Sequence, residues 1–91
     1  MGLGKIGHII ESKLMAAFHP VSLDVIDESA QHHGHSGANA EGESHFRVRI
    51  VAAAFAGTSL VNRHRMVNTV LASEMRERVH ALAIEAKAPA A

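Results

Sequence analysis

Eight histidines stand among 91 residues, and three of them, His32, His33 and His35, fall within four positions of one another. Neutral imidazole is a common ligand for zinc, copper and iron. The chain has no cysteine, which excludes disulfides, a thiol nucleophile and any Cys-only metal site. A closed tetrahedral zinc site usually draws on thiolates, so these imidazoles are poorly suited to enclosing a structural metal alone. Iron–sulfur clusters are normally held by cysteine, yet two histidines replace two cysteines on one iron in Rieske centres. A cysteine-free chain can therefore lend imidazoles to a site whose thiolates another molecule supplies. The competing reading is plainer: a His-rich stretch is often only polar surface.

A second group is basic. Asn62-Arg63-His64-Arg65 follows a tight Phe55-Ala56-Gly57 turn, and the planar guanidinium fork suits phosphates and base edges. Arg47 and Arg49 could extend that surface. Two arginines in a first helical turn face the unfavourable end of the helix dipole, a mild conflict that points to some use for them. The bland reading is a solvated helix terminus, since a preceding helix of the right spacing is lacking.

These residues need elements to hold them. Ile6, Ile10, Leu14, Ala17 and Phe18 recur at helical spacing, predicting an amphipathic helix over Gly4 to Phe18, stopped by Pro20 acting on His19. Val21, Leu23 and Val25 alternate with Ser22, Asp24 and Ile26, a strand pattern. Residues 29–44, rich in glycine and polar residues, read as a loop. Phe46, Val48 and Ile50 alternate with Arg47, Arg49 and Val51 as a second strand. Thr58 or Ser59 can cap a second helix, whose apolar stripe reads Leu60, His64, Val67, Leu71 and Met75. On that stripe His64 is expected to be a satisfied core residue. Ala81 to Lys87 is a third strand, and 88–91 a frayed tail. His8 and His19 carry no pattern, and Asp27 and Glu28 are expected to face water.

The expected class is α+β, in the order helix, strand, strand, helix, strand. The first two strands can pair antiparallel, whereas the third follows a crossover helix and should run parallel to the second. Parallel strands start at the same end of a sheet. The loop feeds the second strand at His45 and His80 stands before the third, so the loop histidines and His80 are expected to meet at one rim.

Composition narrows the functional classes. A chain of 91 residues fits one domain. Nine basic and nine acidic residues cancel, so nucleic-acid affinity would need a local patch. No apolar run approaches a membrane span, and the start lacks a secretory pattern, which reads as cytoplasmic. P-loop, dinucleotide and GxSxG motifs are absent, so a binding protein is expected rather than an enzyme.

Five segments in order, Val25-Ile26-Asp27-Glu28-Ser29, Glu43-Ser44-His45-Phe46, Phe55-Ala56-Gly57, Asn62-Arg63-His64-Arg65-Met66-Val67 and Val79-His80-Ala81-Leu82-Ala83-Ile84, together resemble the BolA family from about the first helix to Lys87. The resemblance implies a class II KH-like fold with a three-stranded mixed sheet. It implies a partnership with a monothiol glutaredoxin, in which a [2Fe-2S] cluster bridges the two proteins and the glutaredoxin cysteine and glutathione give thiolates. On that pattern His80 is one ligand and the loop supplies the second, at the position matching His32, with His33 and His35 as alternatives. The free chain is expected to hold no tightly bound cofactor. Transcription regulators and stress responses are also associated with the family; there Asn62, Arg63 and Arg65 carry over as candidate DNA contacts. An RNA reading is weakened because the GxxG loop of KH domains is incomplete, with Leu60 where the second glycine would stand.

Overall fold

A computed structural model describes residues 3–29 and 43–90. Helix α1 spans Lys5–Phe18, and its buried side carries Ile10 and Leu14. It stops at His19, which adopts left-handed angles (φ 46°) and donates its N–H to the Met15 carbonyl. The following proline excludes helical angles there. Strand β1 covers Ser22–Asp27 and strand β2 His45–Val51. After a short 3-10 turn at Ala53–Phe55, helix α2 runs Leu60–Val70, helix α3 Ala72–Glu77 and strand β3 Ala81–Lys87.

The sheet order is β1-β2-β3. Strand β1 pairs antiparallel with β2, from Ser22 opposite Val51 to Asp27 opposite Phe46. Strand β3 pairs parallel with β2, from His45 opposite Ala81 to Val51 opposite Lys87. This is the mixed α+β topology that alternation and the crossover rule predict. Pleating turns Phe46, Val48 and Ile50 to one face, where they join Ile10 and Leu14 of α1, Val67 and Leu71 of α2, and Phe55 in one apolar cluster. Phe18 and Phe55 meet with ring centroids 5.1 Å apart. Both helices therefore cover the same face, and the other face is left to Arg47, Arg49 and Glu85.

Four expectations are corrected. The second helix is not continuous: Leu71 sits at φ −100°, ψ 16°, in the bridge region. Its N–H still reaches the Val67 carbonyl and its carbonyl still accepts from Met75, so the chain bends while the ladder continues. The apolar stripe also starts later. Leu60 is 65% exposed and His64 is exposed, not a core residue. The stripe holds from Val67 through Leu71 to Met75, joined by Met66 and Val70, while Leu60 and His64 at the start of α2 face water. Finally, Arg47 and Arg49 do not extend the basic surface of α2. They lie across the sheet from it, where Arg47 Nε bonds Glu28 Oε2 at 2.9 Å, and Arg47 Nη1 and Arg49 Nε share Glu85 Oε2 at 3.1 and 3.3 Å. The hydrogen bond from Arg49, then that from Arg47, holds the Glu85 carboxyl below its ordinary range. Glu28, expected to face water, is half-buried in this ladder.

Candidate functional site at the sheet rim

The parallel pairing brings the starts of β2 and β3 together. His80 donates its N–H to the Ser44 carbonyl at 2.7 Å, and Ala81 reaches the same oxygen at 3.3 Å. The His80 side is exposed, whereas His45 is buried. Their ring centroids lie 6.1 Å apart with planes 28° from parallel. Just before β2, Ser44 Oγ lies 2.8 Å from His45 Nδ1.

The two ends of the segment joining β1 to β2 are fastened at this rim. Asp27 Oδ1 accepts from the Ser29 N–H at 2.9 Å, an Asx turn. Asp27 Oδ2 accepts from the Glu43 N–H at 3.0 Å. Ser29 is buried, and its Oγ accepts the N–H groups of Ser44 at 2.9 Å and His45 at 3.2 Å. Buried polar groups must find partners, and this hydroxyl is the hub that supplies them. His80 thus stands beside the Ser44 end of the His-rich segment, and the Ser29 end is tied to Ser44 in turn. His32, His33 and His35 themselves lie outside the described residues. Among the described residues no group of three or more His, Cys, Asp or Glu could hold a metal ion. A single exposed imidazole with no thiolate suits a shared site and does not suit an enclosed one.

The basic candidates separate. Asn62 and Arg65 are exposed on α2. Arg63 is half-buried, with Nε donating to Thr58 Oγ1 at 3.2 Å and Nη1 donating to the Ala86 carbonyl at 3.1 Å. The Ser59 hydroxyl caps the helix by accepting the Asn62 N–H at 3.1 Å. The tension between Arg63 and the helix dipole is offset locally by these two bonds, which join the turn to β3.

The BolA-like protein family profile matches residues 14–91. The chain belongs to the BolA family. This BolA-family chain is 57% identical over 81 residues to an uncharacterized protein in the cobS 5′ region of a Sinorhizobium species, covering 88% of this chain and 87% of that one. It is 49% identical over 75 residues to the DNA-binding transcriptional regulator BolA of Escherichia coli, covering 82% and 68%. The BolA domain of SufE1 from Arabidopsis thaliana superposes with a TM-score of 0.88 at 46% identity, over 97% of this chain and 96% of that one.

Sequence reasoning placed His80 at the rim but gave no role to Ser29, Glu43 or Ser44 in this BolA-family chain. The Asp27-Glu28-Ser29 stretch carries a legible signal, since Asp followed two residues later by a free N–H is the Asx-turn pattern. The contact of Glu43 with α1 has no local signal. Among the described residues, no helix is long and apolar enough to cross a membrane.

Proposed function

We propose that this protein acts by binding rather than catalysis, as an adaptor that shares a [2Fe-2S] cluster with a monothiol glutaredoxin. The supporting observation is an exposed His80 whose backbone is tied to Ser44, at the anchored end where the His-rich segment enters β2. Imidazole at this rim is a suitable donor, and the chain has no thiolate, so the glutaredoxin cysteine and glutathione complete the donor set. His80 gives one ligand and His32 the second, with His33 and His35 as the alternatives. The cluster is cargo in this reading, supplying iron–sulfur units for trafficking or iron and redox regulation. The chain's own part is to present an imidazole on a rigid strand end, where little ordering remains to be done on binding. Mixing the protein with cluster-loaded monothiol glutaredoxin should change the visible circular dichroism, and His80→Ala should abolish that change. An identical spectral change with His80→Ala would remove His80 as a ligand.

A second reading, transcription regulation by DNA binding, is favoured by the exposed Asn62 and Arg65 on α2 and by the name of the Escherichia coli relative. It expects binding that weakens steeply with salt through counterion release. Arg65→Ala should weaken binding while leaving the fold intact. Unchanged affinity and salt slope in that variant would end this reading.

A further inference from the structure

Helix α1 starts without a cap of its own. Gly4 occupies the N-cap with no side chain to offer, and the first turn carries no acidic residue. The first N–H groups of a helix have no partner within it. Here the partner comes from far along the chain: Glu43 Oε1 accepts from the Ile6 N–H at 2.6 Å and from the Gly7 N–H at 3.2 Å. Gly4 is what admits this carboxylate. A Cβ at that position would stand 2.5 Å from Oε1 and 2.6 Å from the carboxyl carbon.

Glu43 adopts φ 59°, in the left-handed region that a non-glycine residue enters only at a cost. That conformation is held by its own N–H on Asp27 and by its carboxylate on α1. The next residue, Ser44, carries the carbonyl that accepts the His80 N–H. Two consecutive residues therefore connect the first turn of α1 to the backbone of His80.

We propose that Glu43 is a positioning residue for His80, its carboxylate clamping the rim of the sheet to the N-terminus of α1 so that Ser44 holds the start of β3 in one place. The meaning of this positioning for cluster sharing rests on the reading of His80 as a ligand. The coupling itself is testable without any partner.

The full chain and its Glu43→Ala, Glu43→Gln and Gly4→Ala variants are compared by amide hydrogen exchange and by the NMR signals of the His80 imidazole. Glu43→Ala should speed exchange at Ile6 and Gly7 about fivefold, the scale of a lost helix cap. It should also speed exchange at His80 and move its ring signals. Glu43→Gln keeps an acceptor oxygen and should restore most of the wild-type pattern. Gly4→Ala crowds the carboxylate while leaving Glu43 in place, and should move the His80 signals as Glu43→Ala does. If Ile6 and Gly7 exchange faster while His80 exchange and ring signals match wild type, Glu43 is a local cap and the proposal fails. The ligand reading is judged apart, by the spectrum of His80→Ala with cluster-loaded glutaredoxin. Moved His80 signals in Glu43→Ala would uphold the coupling even if that spectrum matched wild type.

Discussion

Removing the Arg63 side chain should destabilise the fold before it affects any surface recognition. Two hydrogen bonds are lost, to Thr58 Oγ1 and to the Ala86 carbonyl. Hydrogen bonds to charged groups contribute about 1.5–3 kcal/mol each, but Arg63 is half-buried, so water replaces part of both. Ala86 is only 3% exposed, so its carbonyl is the poorer of the two at finding water. A net loss of about 1–3 kcal/mol follows, at the scale on which an unsatisfied buried acceptor is felt. For a domain of this size that lowers the melting temperature by roughly 4–8 °C per kcal/mol. Arg65→Ala, on the exposed side of α2, should stay within about 0.5 kcal/mol of wild type. Urea unfolding followed by far-UV circular dichroism separates the two variants. Equal midpoints for Arg63→Ala and Arg65→Ala would refute the argument that Arg63 joins the turn to β3.

Leu14 is fully buried between α1 and the sheet, so Leu14→Ala should cost about 2–5 kcal/mol; a drop of less than about 1 kcal/mol in urea would mean that the neighbouring side chains collapse into the cavity. Glu85 has a folded-state pKa lowered by the hydrogen bonds from Arg49 and Arg47. Its contribution is present above the unfolded glutamate pKa, near 4.3, and is lost as pH falls through the lower folded value. Wild type should therefore lose stability on acidification below about pH 4.3 more steeply than Glu85→Gln, and parallel stability curves would contradict this ion-pair ladder.

The periodic elements were legible because each reports a local rule. Strand β3 begins and ends where alternation places it, and His19 terminates α1 as the following proline requires. The rim also follows from topology alone, because a parallel pair must start at one end. The start of α2 departs from its stripe, since spacing shows which residues share a face but not how far the core extends beneath them. Leu60 and His64 fit the stripe and still face water. The positions of Arg47 and Arg49 were available from alternation, because their neighbours Phe46 and Val48 point to the helices; that step needs both helices on one face, which is a tertiary fact. The carboxylate of Glu43 on Ile6 and Gly7 spans more than a third of the chain, and no periodicity or turn rule reaches that far.

The Ser29 hydroxyl and the Asp27 carboxylate close the base of the β1–β2 connection independently of what lies between them. Changes in the length of that connection then act mainly through ring closure, and doubling a loop adds only about 0.6 kcal/mol. Insertions, deletions or exchanges of side chains between residues 30 and 42 should accordingly leave the sheet and helices standing. Side chains in that stretch can therefore be exchanged without disturbing the strand ends that flank it, because Asp27, Ser29 and Ser44 hold those ends by their own bonds.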